Sequence, residues 1–201
     1  LRDSRVGHVL AATDVNAPLS LPSHPRLTTT SVDFRKSRQI HRMIFHSTKG
    51  LAIDTIVHTS QVQSAFASGA KVHAHNVAGL RSIIEYSERH PSINRLVLRS
   101  GAEVYQVQRD LPVLISEEHP LNMNSGAPQW VRDRVEADIT ACTRMGLSSL
   151  QIVVLRMAEV LAPGCGSQLF DYLQSPVCMR PAGFDPMQNL LTIEDAAAAF
   201  L

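Results

Sequence analysis

Ile53-Asp-Thr-Ile-Val-His58, the stripe Val72, Val77, Leu80, Ile83 and Ile84 behind it, and then Leu96-Val-Leu98 decide how this chain folds. The first and last are short, continuous apolar runs. The stripe recurs at helical spacing and stops at Pro91, a residue that cannot extend a helix. Strand, helix, strand in that order is a βαβ unit. Apolarity without alternation predicts strands covered on both faces, as in a parallel sheet.

The pattern repeats outward on both sides. His8-Val-Leu-Ala-Ala-Thr13 and Thr28 to Phe34 predict two earlier strands, and Ile40, Met43 and Ile44 predict a helix over Arg38 to His46. Downstream, Trp130, Arg134, Ala137 and Ala141 stripe a helix from Trp130 to Met145 that ends at Gly146, a natural left-handed cap. Gln151-Ile-Val-Val-Leu155 is a fifth strand, and Glu194 to Leu201 a final Ala-rich helix. Pro and Gly cluster at Leu161 to Ser167 and again at Pro176 to Pro186, which predicts loops. The fold class expected is α/β, a doubly wound, Rossmann-like parallel sheet.

Composition narrows the chemistry. Nineteen basic and 18 acidic side chains leave a formal charge of +1 with no basic block, so nothing electrostatic calls for nucleic acid or an anionic membrane. No apolar run approaches the roughly 20 residues of a membrane helix, and LRDSRVGHVL lacks the apolar core of a signal peptide. Cys142, Cys165 and Cys178 fit neither a disulfide framework nor a zinc site, which predicts reduced thiols and a cytoplasmic protein. No metal is expected: on a helix, His73 and His75 point to different faces. A Ser hydrolase would want a Gly-x-Ser-x-Gly elbow, and none is present.

Several segments, in order, resemble the extended short-chain dehydrogenase/reductase family, which includes the NAD-dependent nucleotide-sugar epimerases and dehydratases. His75-Asn76-Val77-Ala78-Gly79-Leu80 is similar to that family's Asn-Val-x-Gly-Thr helix. Arg95-Leu-Val-Leu-Arg-Ser-Gly-Ala-Glu-Val-Tyr105 is similar to its strand ending in Ser-Ser-x-x-Val-Tyr. Val153-Val-Leu-Arg156 resembles the strand ending in Arg, and Leu191-Thr-Ile-Glu-Asp-Ala196 the later helix entry. The resemblance implies a partial dinucleotide-binding domain over residues 1–160 and a loop-rich substrate-lobe segment over 161–201 that returns to the core.

For the cofactor, the resemblance implies roles for Asp14, Asp33, Thr59, Ser60, Asn76 and Arg134. An acidic residue ending the second strand of a dinucleotide fold binds the adenosine ribose, and Asp14 in that place favours NAD over NADP. Read by itself, Asp14 is equally an ordinary turn or cap residue. Asp33 matches the acidic residue at the adenine edge, and Thr59 and Ser60 lie where the backbone passes the cofactor. A glycine-rich phosphate turn is missing, since Gly7 stands alone. The expectation is a longer parent chain, with the first strand and glycine loop before Leu1. Without that central strand, two half-sheets with unpaired edges are expected.

The catalytic positions implied by the resemblance are Ser100, Gly101, Trp130 and Arg134. Trp130 falls where the family has its acid/base Tyr, Arg134 at the Lys one turn on, and Gly101 at the substrate-binding Ser, with Ser100 one position early. Indole donates but is no base near neutral pH, and guanidinium keeps its proton. Three readings stand open. One is an epimerase or dehydratase acting on a nucleotide-sugar or similar hydroxylated substrate, with Tyr105 or Glu103 as an unrecognised acid/base. The second is an inactive NAD-binding or scaffolding pseudoenzyme. The third is a fragment that depends on a partner subunit. The resemblance also implies a homodimer through the helix after Ile53 to His58 and the helix bearing Trp130.

Overall fold

The computed structural model describes all residues except 1–3, 18, 65, 109, 113, 180, 181 and 184–187. The loop at Pro176 to Pro186 therefore lies partly outside the described residues. All five expected strands are present: β1 (Val9–Asp14), β2 (Leu27–Val32), β3 (Thr55–His58), β4 (Arg95–Gly101) and β5 (Gln151–Met157). Between them run α1 (Ser37–Arg42), α2 (Ala70–His73), α3 (Gly79–Arg89) and α4 (Gln129–Cys142).

All four pairings between strands among the described residues are parallel, which makes the fold the expected α/β, Rossmann-like one. The hydrogen bonds nevertheless divide its five main strands into two sheets. One holds β1 and β2, the other β3, β4 and β5 in that order. Among the described residues β1 pairs only with β2, and β3 only with β4, so each presents an open edge, as expected of a sheet without a central strand.

A single apolar core joins the two sheets across this break. Ile40 and Ile44 come from the first helical segment, Leu80, Ile83 and Ile84 from α3, and Ala137 and Ala141 from α4. They pack on Val32 of β2, Leu96 and Leu98 of β4 and Ile152 of β5, with Ala12 of β1 and Ile56 of β3 against them. On the alternate face Val57, Val97 and Val153 lie in register, and Val57 and Val153 are exposed.

The helices depart from the sequence reading in informative ways. The stripe read as Val72 to His90 is α2 and α3 joined by a π-helical turn, Ala74–Ala78. That extra backbone residue turns His75, Asn76 and Val77 all inward. A second π turn, Met43–Ser47, extends α1. Gly79 begins α3 where a Cβ would stand 2.7 Å from the Phe34 carbonyl oxygen, so only glycine allows this approach to the end of β2. Helix α4 ends at Cys142, three residues short of the expected Met145, and the chain turns through Gly146 at a φ of 75°.

Beyond β5 a short helix, α5 (Gln168–Leu173), follows the first Pro/Gly loop. The chain also forms a small second core there. Two-residue strands β6 (Glu159–Val160) and β7 (Leu190–Leu191) pair, and α6 (Ile193–Ala198) packs Ala196 on Met157, Val160 and Ala162. The Thr192 hydroxyl caps α6 by accepting from the Asp195 amide at 3.1 Å.

Candidate functional site

In an open parallel sheet, ligands bind outside the carboxyl ends of the strands, where the strand order reverses. Here that place lies between β1 and β3, and a cavity of about 330 Å³ opens there, lined by Asp14, Arg35, Ser60, Gln61, Lys71 and His75 among others.

Asp14 is the last residue of β1. One of its oxygens accepts from the Asn16 backbone amide and from the Asn16 side-chain amide, both at 2.6 Å. The other lies 2.9 Å from Nδ1 of His75. Nε2 of His75 is 3.1 Å from the Ser60 hydroxyl. A neutral imidazole protonated at Nδ1 satisfies both contacts, donating to Asp14 and accepting from Ser60. Burial pushes the His75 pKa down while the Asp14 charge opposes that shift, which favours this neutral form.

Asp33 follows β2 and is buried. Its carboxylate takes both Nε and Nη2 of Arg35, at 2.8 and 2.9 Å, which hold it well below the usual carboxylate range. The Arg35 guanidinium therefore stands on the side chain read as an adenine contact, and Nη2 also reaches the Asn16 side chain at 3.1 Å. Thr59 is exposed beyond β3. His58, at the end of β3, is buried with its Nε2 unpaired among the described residues, and burial lowers its pKa to about 4.

Asn76 is a buried organiser. Its side chain accepts from the Val62 amide at 2.8 Å and donates to the Val62 carbonyl at 3.1 Å, pinning the loop after β3. It also reaches Asp133 of α4, which His73 meets from the other side at 2.9 Å. His73 and His75 thus serve separate partners, Asp133 and Asp14.

The positions read as catalytic divide into two groups. Ser100 is buried, and its hydroxyl donates to Asp138 at 2.7 Å. Asp138 has no solvent exposure and receives Nε and Nη2 of Arg156 at 3.0 and 2.7 Å. Arg156 also donates to the Tyr105 hydroxyl at 3.0 Å, so β4, α4, β5 and the turn after β4 share one polar knot. Gly101, Trp130 and Arg134 instead gather with Glu103, which lies in the 3₁₀ turn Ala102–Val104. Buried Arg134 is ion-paired to Glu103, donates from Nε to the Gln61 side chain at 3.0 Å, and lies 5.6 Å from the centre of the Trp130 ring. Burial and the nearby Arg99 lower its pKa to about 10, with Glu159 opposing. A Cβ at residue 101 would collide with the Glu103 carboxyl group.

The partners of these side chains are not legible in the sequence. Gln61, His75 as a ligand of Asp14, and Asp138 as the anchor of Arg156 carry no local signal, because each acts across elements distant in the chain. The sequence suggests Glu103 only as a general acid or base, whereas the structure sets it against Arg134. Among the described residues no helix is long and apolar enough to cross a membrane.

No protein-family model matches the chain. Uncharacterized proteins of Mycobacterium tuberculosis and Mycobacterium bovis are 29% identical to it over 151 residues, 73% of this chain and 40% of theirs. The chain thus spans about two fifths of the length of the curated relatives it matches. Among solved structures, the Bordetella bronchiseptica enzyme WbmG in complex with NAD and UDP superposes with a TM-score of 0.66 at 17% identity, over 96% of this chain and 59% of that one. The dTDP-glucose 4,6-dehydratase of Bacillus anthracis in complex with NAD gives 0.66 at 20% identity, over 88% and 54%. The epimerase Mth375 of Methanothermobacter thermautotrophicus gives 0.64 at 16%, over 78% and 46%. The resemblance seen in the sequence thus holds at the level of the fold.

Proposed function

We propose that this chain is an NAD-binding domain of the epimerase/dehydratase type that takes a nucleotide-sugar-like ligand and lacks the standard proton-transfer pair. The observation that carries the reading is Asp14, held at the carboxyl end of β1 by His75 and Asn16 and lining the cavity at the strand-order reversal. A carboxylate so placed accepts hydrogen bonds from a ribose diol and repels a 2′-phosphate, which favours NAD over NADP. Ser60 and the loop pinned by Asn76 would flank the cofactor, and similarity to enzymes solved with NAD and UDP supports the ligand class. The cofactor, when bound, supplies hydride chemistry; this chain's residues orient it and exclude water. Arg35 would leave Asp33 or lie over the adenine.

Around Arg134 the residues fit hydride transfer poorly. Neither the Trp130 indole nor the Arg134 guanidinium exchanges a proton near neutral pH. The Glu103 carboxyl also fills the space into which a side chain at residue 101 would project. We therefore favour binding without turnover. Incubating the protein with NAD and UDP-glucose, and following the sugar by chromatography because an enzyme of this type returns its hydride and leaves no reduced nicotinamide behind, should give no epimerised or dehydrated product above a protein-free control. Steady conversion of the sugar would overturn this reading. Trp130→Tyr, Arg134→Lys and Gly101→Ser together are expected to restore activity, and more fully when Glu103→Ala is added, because the side chain introduced by Gly101→Ser meets the Glu103 carboxyl group.

A further inference from the structure

We propose that the surroundings of Arg134 form a binding site for the carboxylate of a sugar acid, which enters by displacing the Glu103 carboxylate. The proposal rests on the nucleotide-sugar reading above and narrows it to a substrate class.

Two buried donors next to Arg134 have no partner among the described residues: Nε2 of Gln61 and Nε1 of Trp130. Leaving such groups unpaired is costly, and a ligand supplying oxygen atoms removes that cost. Both side chains are tied to Arg134, Gln61 through its own oxygen at 3.0 Å and Trp130 through its ring at 5.6 Å. Arg134 and the two amide- and indole-type donors together match the acceptor capacity of one carboxylate.

The pair also has a fixed and a movable member. The Arg134 side chain is 6% exposed, whereas that of Glu103 is 26% exposed and sits on a single 3₁₀ turn. Glu103 can rotate into water at little desolvation cost; Arg134 cannot, and needs an anion wherever Glu103 goes. Gly101 supplies the volume that Glu103 occupies and that an incoming group would inherit.

Charge selects among ligands. Arg99 and Glu159 both act electrostatically on Arg134, and one Glu159 oxygen is buried without a partner among the described residues. With Glu103 in place, two cations face two anions. A monoanionic carboxylate preserves that balance, a phosphate dianion adds charge beside Glu159, and a neutral hydroxymethyl group cannot replace Glu103.

The test compares UDP-glucuronate with UDP-glucose, which differ only in a carboxylate against a hydroxymethyl group, with UDP as a third arm. Binding is followed by calorimetry and by the fluorescence of Trp130, the chain's single tryptophan. UDP-glucuronate should bind at least tenfold more tightly than UDP-glucose. Glu103→Gln should tighten UDP-glucuronate a further three- to tenfold and leave UDP unchanged, and Arg134→Gln should erase the preference. Equal affinity for the two sugars, or unchanged or weaker UDP-glucuronate binding in Glu103→Gln, overturns the proposal. Thermal melting guards against misfolding: UDP-glucuronate should raise the Tm of Glu103→Gln more than that of the parent, and an equal or smaller rise counts against it. If UDP fails to bind, the nucleotide reading falls by itself, and free glucuronate against glucose then decides the pocket. Quenching of Trp130 by glucuronate that is lost in Arg134→Gln upholds the carboxylate site, and no response to glucuronate refutes it.

Discussion

Nδ1 of His75 stands 2.9 Å from a carboxylate oxygen of Asp14, tying the π turn after α2 to the end of β1 across the break between the two sheets. The contact fixes the direction in which Asp14 presents its charge. His75→Leu should weaken NAD binding about five- to tenfold, the size of one ordinary net hydrogen bond of about 1 kcal/mol. Asp14 would still be present, so binding should persist; calorimetry on the variant beside a melting curve checks this.

The Asp138–Arg156 pair should contribute chiefly to stability. Asp138→Asn leaves the half-buried Arg156 guanidinium without its bidentate partner, and should lower unfolding free energy by about 3–5 kcal/mol. Ser100→Ala removes one neutral donor to the same carboxylate and should cost about 1–2 kcal/mol. Urea titrations of both variants measure the difference. A Ser100→Ala variant with unchanged stability and abolished ligand binding would speak against a structural role for Ser100.

Acid should act strongly through His58. Its folded pKa of about 4 lies below the ordinary value of 6.5, so the unfolded chain binds the proton more readily. Stability is fully present above pH 6.5 and falls as pH drops toward 4, by roughly 3 kcal/mol over that window. Asp33, held low by Arg35, adds its own loss only below the usual carboxylate range. Melting temperatures should decline from pH 7 down to pH 4 in the parent and decline less in His58→Leu, which also removes the unpaired ring nitrogen.

Gly79→Ala should destabilise the chain by about 1–3 kcal/mol, because the added methyl group meets backbone at Phe34 and something must shift. Chemical denaturation of that one variant is sufficient.

The strand-helix alternation was legible because parallel strands buried on both faces leave unbroken apolar runs such as Leu96-Val-Leu98. Helix α4 was harder to read: it buries Asp133, Arg134 and Asp138 beside Val131, Val135 and Ala137, so hydropathy blurs its inward face. The π turns left no trace, since one extra residue in a turn does not break an apolar stripe. Strands β6 and β7, two residues each, are set by tertiary pairing alone. Asp14, Asp33, Ser60 and Asn76 could be located from their places after strands or in a helix. That Asp14 would be gripped by His75, and Arg134 by Glu103, depended on which distant elements the fold brings together.

Calorimetric titration of NAD into the parent chain and into Asp14→Asn tests the central claim, that the end of β1 holds the adenosine half of a dinucleotide. One saturable site per chain is predicted, at least tenfold weaker in the variant. Absence of saturable heat in the parent, or equal affinity in the two proteins, would contradict it.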